Sequence, residues 1–298
     1  MNTIDLHMHS ICSIDGTYRP EELRNMCEEK SIAFMAIADH NSVKGSRQLL
    51  EHGQNGKTVL IPAIELDCTC QGKDFHLLGY GINVYDPIYD KIEEDFLSQE
   101  RQNGEARLAY TRDKIGFSFE DHIIEKLKIL GVITPEAIME ACMIDERNRN
   151  HEKMQPYLEG GSRSNNPMVN FYWDYFSQGT EGYVPMVFPK LRDMVEMIHE
   201  QSGLAVLAHP GNNVKEDEEL LKAVIDCGID GMEVYSSYHS KKQEEYYREK
   251  AGEYHLLSTC GSDFHGKTKP SIHLGQCDCP ENDLTVLEKV LKRIAKSK

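Results

Sequence analysis

Short apolar runs recur along this chain, and most of them end in a titratable residue. The first, Ile4-Asp5-Leu6-His7-Met8-His9-Ser10, alternates. Successive side chains of a strand point to opposite faces, so His7 and His9 aim one way while Leu6 and Met8 pack the other. Residues 32–38, 59–64 and 204–208 are nearly unbroken apolar runs. That is the pattern of strands covered on both faces, as in a parallel sheet. Residues 74–80, 231–235 and 256–260 complete a set of seven predicted strands.

Helical patterns fall between them. Pro20-Glu21-Glu22 opens one, with proline early and acids in the first turn, and Leu23, Met26 and Cys27 form its apolar face. Others are predicted over 42–52, 191–201, 218–227, 239–254 and 282–295. Strands alternating with helices imply an α/β fold with a mostly parallel sheet.

The pattern changes near Asp86-Pro87. Helical stretches follow over 88–109 and 119–130, then a helix start at Thr134-Pro135, then an aromatic-rich helix within 163–179 that holds Trp173. The α/β pattern resumes after Pro189. The chain therefore divides into a core of 1–86 and 190–298 and an inserted helical subdomain of 87–189.

In β/α barrels the active site lies at the C-terminal strand ends. Here those ends carry His7/His9, Asp39/His40, Glu65, His76, His209 and Asp263/His265, with Asp15 in the loop after the first strand. One histidine alone is more often an ordinary hydrogen-bonded core residue. Six of them with the carboxylates Asp15, Glu65 and Asp263 on one face would be costly to bury without cations. Neutral imidazole is the commonest protein ligand for such ions. A tetrahedral zinc takes about four ligands, so this set suits two or three ions. Such clusters have ions about 3.5–4 Å apart with a bridging carboxylate. Glu65, amid the histidines, is the best bridging candidate.

Composition narrows the partners. A chain of 298 residues with 40% apolar residues can bury one large α/β core. The net charge of -16 argues against gripping long nucleic acid through a basic surface. A small phosphate ligand stays open, because bound cations reverse the local field. No apolar run is long enough to span a membrane, and no secretory signal pattern is present. Nine scattered cysteines, an odd number, read as reduced thiols and a cytoplasmic location. Cys68-x-Cys70 and Cys277-x-Cys279 are too closely spaced for zinc knuckles. The sequence carries no signal for an oligomeric state.

The motifs Asp5-x-His7-x-His9-Ser10 with Asp15-Gly16, then Ala38-Asp39-His40-Asn41, Ile64-Glu65, Ala208-His209-Pro210 and Gly261-Ser262-Asp263-Phe264-His265-Gly266 occur in this order. Together they resemble the polymerase-and-histidinol-phosphatase (PHP) domain, in its branch of bacterial phosphoesterases. The resemblance implies a distorted (β/α)7 barrel whose helical insertion caps the active site. It implies two to three divalent ions of manganese, zinc or iron. One would be held by His7, His9, Glu65 and Asp263, a second by Glu65, His76 and His209, a third by Asp15, His40 and His265. Asp5 would orient a histidine. The implied activity is hydrolysis of a small phosphorylated substrate by a metal-bound hydroxide, through Glu65 and His209. Nucleoside 5′-monophosphates, 3′,5′-bisphosphates or short oligoribonucleotides are the expected esters; histidinol phosphate and cyclic ribose phosphates are the alternatives.

Three rival readings rank lower. A non-catalytic metal-binding module should have lost ligands, and none is missing. A carbon–nitrogen hydrolase would want a lysine at a strand end, and there is none. Cys12 as a covalent nucleophile lacks a free partner histidine. Relatives typically read Gly-Arg-Pro-His within the insertion, whereas this chain reads Gly161-Ser162-Arg163-Ser164-Asn165-Asn166. Arg163 keeps a guanidinium able to fork onto a phosphate, and the histidine is gone.

Overall fold

The computed structural model describes residues 4–53 and 56–297. Its strands are β1 (Ile4–Met8), β2 (Phe34–Ile37), β3 (Val59–Leu60), β4 (Ala63–Cys70), β5 (Lys73–Tyr80), β6 (Leu204–Leu207), β7 (Gly231–Ser236) and β8 (Leu257–Gly261). β1, β2 and β3 form a parallel three-stranded sheet. β4 to β8 form a second sheet in sequence order. The fold is mixed α/β with largely parallel pairing, but among the described residues no continuous ladder closes the two sheets into a ring. They meet through single bridges, Met8 with Phe264 and His40 with Glu65.

Two expectations need correction. The run 59–64 is not one strand ending at Glu65. Pro62 lacks the N–H that a ladder needs, so β3 stops at Leu60 and β4 starts at Ala63. Glu65 is therefore an interior residue of an eight-residue strand. Nor is the sheet parallel there. β4 returns directly into β5 through Gln71-Gly72, both at positive φ, and a two-residue turn forces antiparallel pairing. β5 also pairs antiparallel with β6. Parallel pairing resumes from β6 through β8.

The core forms where the patterns place it. Leu191, Val195 and Ile198 are the buried face of the helix Leu191–Glu200, which packs against β4, β5 and β6. Each such side chain contributes about 1.5–3 kcal/mol on full burial. Helices Pro87–Tyr110, Asp121–Leu127, Pro135–Ile144 and Pro167–Tyr175 occupy the region between β5 and β6. Part of it gathers an apolar cluster of its own around Phe117, Ile138 and Phe171. Thr134 caps its helix as expected, its hydroxyl accepting from Ala137 N at 3.1 Å. No helix is long and apolar enough to cross a membrane among the described residues. All nine cysteines are free thiols, and none joins a group able to hold a metal among the described residues.

Candidate metal centre

β1 delivers His7, and His9 follows directly on its end; both are fully buried. β4 delivers Glu65 and, two residues on, Asp67 to the same face. His76 faces Asp67 across the β4–β5 pair. His40 follows β2, His209 follows β6, and Asp263 and His265 follow β8.

Glu65 is the hub. Its Oε2 lies 3.1 Å from His7 Nε2, 3.2 Å from His9 Nε2 and 3.4 Å from His40 Nδ1. Its Oε1 lies 3.0 Å from His76 Nδ1 and 3.2 Å from His209 Nε2. Asp263 Oδ1 stands 3.0 Å from His9 Nε2 and 3.3 Å from His7 Nε2. Asp15 Oδ2 stands 3.0 Å from His265 Nε2 and 3.6 Å from His40 Nε2. Two ligands each about 2.1 Å from one ion stand roughly 3.0–3.4 Å apart, so most of these separations suit a shared cation.

Four overlapping groups have ligand atoms close enough for an ion: His7, His9, Glu65 and Asp263; Glu65, His76 and His209; His9, Asp15, His40 and His265; and His40, Asp67 and His76. All nine ligand candidates named from the sequence are thus in one cluster. Arg163 is not. Its guanidinium forks onto Asp174, Nε at 3.0 Å from Oδ2.

The test of fit is which atoms lack partners. His7 Nε2, both ring nitrogens of His9, His40 Nδ1, Glu65 Oε2, His209 Nδ1, Asp263 Oδ1 and His265 Nε2 are buried with no hydrogen-bond partner. Orphaned buried polar atoms are rare and costly. Six of them, His7 Nε2, His9 Nε2, His40 Nδ1, Glu65 Oε2, Asp263 Oδ1 and His265 Nε2, face one another across the cluster and fit divalent ions.

Charge is balanced to suit. Burial opposes ionisation of Glu65, yet His7, His40 and His76 hold it well below the usual carboxylate range. Burial likewise opposes ionisation of Asp263, and Lys269, His265 and His7 overcome it. His9 is pushed down to about 4 by burial and by the neighbouring His265, so its ring is neutral. Burial disfavours a charged His76, but Glu65 and Asp67 raise it to about 9.

Several groups escaped the sequence reading. Glu233 Oε1 lies 2.9 Å from His7 Nδ1, which fixes that ring and turns Nε2 inward. Asp5, expected to orient a histidine, accepts from the His7 main-chain N–H at 3.3 Å and more closely from Ser262 N at 2.9 Å, Ser262 Oγ at 2.7 Å and Gly275 N at 2.7 Å, bracing the Ser262 turn. Asp67 Oδ1 lies 3.1 Å from His76 Nε2 and its other oxygen accepts from Asn41. Lys269 Nζ and the Tyr238 hydroxyl both reach Asp263 Oδ2 at 2.6 Å. A charged residue inside the apolar run Gly231-Met232-Glu233-Val234-Tyr235 was the available signal for Glu233.

A cavity of about 130 Å³ opens beside Asp15, between Lys267 and Thr268 on one side and Lys126, Glu136 and Met168 on the other. Lys267 pairs with Glu140 at 2.9 Å, and Asn166 Oδ1 accepts from Ser271 N at 3.0 Å, so the helical region is tied to the rim.

The PHP domain profile matches residues 5–159. The 5'-3' exoribonuclease Rnm of Escherichia coli is 29% identical over 91% of this chain and 88% of its own. The 3',5'-nucleoside bisphosphate phosphatase of Chromobacterium violaceum is 25% identical over 93% of this chain and 92% of its own. A solved structure described as an amidohydrolase from Chromobacterium violaceum, with sulfate bound and no metal, superposes with a TM-score of 0.76 at 22% identity. It covers 98% of this chain and 96% of that one, which extends the shared fold to nearly the whole length.

Proposed function

Because the chain belongs to the PHP domain family, we propose that it is a metal-dependent phosphoesterase acting on a small phosphate ester of a nucleoside. The observation that carries this reading is the ring of partnerless imidazole and carboxylate atoms around Glu65. Two to three divalent ions, manganese, zinc or iron, fit the overlapping ligand groups. When bound, they supply charge neutralisation for phosphate oxygens and a nucleophilic water at neutral pH.

The chain's own residues do the rest. Glu65 divides its oxygens, Oε2 toward His7, His9 and His40, Oε1 toward His76 and His209, and so joins the subsites. Glu233 Oε1 accepts from the His7 Nδ1–H and leaves Nε2 as a ligand. His265 is held in the same way, its Nδ1 lying 2.8 Å from the Asp263 carbonyl. No protein nucleophile is needed. Burial and the nearby Asp39 push the Cys12 thiol up to about 11, which leaves it protonated. Arg163, resting on Asp174, is the guanidinium proposed to meet the outer phosphate oxygens. Residues 87–189 are proposed as a cap over the core formed by 1–86 and 190–298, with the barrel distorted and open. Their ties to the rim through Glu140 and Asn166 support this.

The substrate is proposed to be a nucleoside 5′-monophosphate, a 3′,5′-bisphosphate or a short oligoribonucleotide. Histidinol phosphate and cyclic ribose phosphate are the rival esters. The relative named as an exoribonuclease weakens the charge argument against RNA, since 5′ ends of longer strands become reasonable substrates. Nine unpaired thiols support a cytoplasmic location. The test is release of inorganic phosphate from a panel of these esters with added manganese. Absence of turnover on every ester by protein shown to hold ions would overturn the proposal.

A further inference from the structure

Asp263 sits just beyond β8 at a φ of 56°, and its N–H donates to the His7 carbonyl at 2.8 Å. The main chain is fixed there, but the carboxylate plane can still turn about the Cβ–Cγ bond. In this structure the oxygens have opposite surroundings. Oδ1 faces His9 Nε2 at 3.0 Å and His7 Nε2 at 3.3 Å and has no hydrogen-bond partner. Oδ2 receives the Lys269 ammonium and the Tyr238 hydroxyl, each at 2.6 Å.

We propose that Lys269 and Tyr238 are positioning residues that reserve one oxygen of Asp263 for the ions. Lys269 is only 7% exposed, and Asp263 is its ion-pair partner among the described residues. A buried ammonium beside a site for cations is unfavourable unless something offsets it. Oδ2 offsets it, and that commitment holds the carboxylate plane so that Oδ1 points at His7 and His9. Turning the carboxylate out of this plane would take the acceptor from the ammonium and the facing oxygen from His7 and His9 together. Tyr238 reaches the same oxygen from the segment after β7, with its ring edge-on to His209 at 5.7 Å. It thus spans from the Asp263 subsite to the His209 side of the cluster. Partners that orient metal ligands in this way are worth about 10–100-fold in metal affinity.

This inference rests on the proposed ion cluster, and its test reads ion retention apart from turnover. Manganese-loaded wild type, Lys269→Met, Lys269→Arg and Tyr238→Phe are challenged with a chelator, and ion loss is followed by metal analysis. The expected result is ion loss about 10–100-fold faster in Lys269→Met, partial rescue by arginine, and a smaller change in Tyr238→Phe. With any ester that is cleaved, kcat falls and KM moves little. Unchanged retention with a raised KM would assign Lys269 to the substrate and overturn the proposal. Unchanged retention and turnover would overturn it as well. If Lys269→Met does not fold, Tyr238→Phe, which removes a single oxygen, decides on the same readout. Failure of wild type to cleave any ester would count against the proposed reaction, while the retention ratio still decides the role of Lys269.

Discussion

Replacing Glu65 with glutamine keeps the shape of the side chain and removes one negative charge from the point where the imidazoles of His7, His9, His40, His76 and His209 converge. Glu65 is fully buried, so solvent cannot compensate. Breaking a buried charge pair costs about 3–5 kcal/mol. At about 1.4 kcal/mol per decade, ion binding should weaken by roughly 10²- to 10⁴-fold. The amide also presents an N–H₂ to one of two sites that need an acceptor, so ions cannot be joined through it. The assay pairs metal analysis after gel filtration with phosphate release, and circular dichroism confirms that the fold persists. The expected outcome is a folded protein holding fewer ions, with turnover down by about 10³-fold or more. A variant with a full ion complement and normal turnover would refute the bridging role.

Further predictions follow from the same geometry. His209→Ala removes a ligand from the Glu65 and His76 group; the protein should fold, and phosphate release should fall to background. Arg163→Ala should raise KM for a phosphate ester about tenfold with kcat nearly unchanged, matching about 1.4 kcal/mol for a charge-assisted contact. In the metal-free protein, His76 is raised to about 9 by Glu65 and Asp67 against the opposing effect of burial. Its stabilising charge is fully present below the unfolded value of about 6.5 and is lost as pH rises through 9, about 2 kcal/mol after allowing for partial exposure. His7 acts in the same sense, and His9, near 4, stays neutral across that window. Tm of metal-free protein should therefore fall from pH 6.5 to 9.5, whereas metal-loaded protein, whose ligands bind unprotonated, should not follow. A flat metal-free profile would contradict the paired state of these rings. Chelation should abolish turnover, and manganese should restore it.

Much of the cluster was legible because strand geometry is local. A histidine pair at i, i+2 needs no tertiary information to point one way, and the titratable ends of apolar runs mark one edge of a sheet. What escaped depends on pairing. Glu65 looked like a strand end because the apolar run reads as continuous through Pro62, which in fact breaks it, and Asp67 carried no signal until β4 paired with β5 and set it opposite His76. The alternation of Glu65-Leu66-Asp67-Cys68 followed by Gln71-Gly72 was the overlooked hairpin signal. Lys269 and Tyr238 belong to loops after different strands, and only the fold brings them to one oxygen. Glu233 escaped for the same reason: Asp5 and Glu233 are both acids inside apolar strands, and which one meets the His7 imidazole is decided by the facing strand.

Anomalous diffraction from manganese-loaded crystals tests the whole account most directly. Two or three peaks should appear, bounded by His7, His9, Glu65 and Asp263, by Glu65, His76 and His209, and by Asp15, His40 and His265, with Glu65 between the first two. Loaded crystals that show no peak among these residues, or peaks elsewhere only, would contradict it.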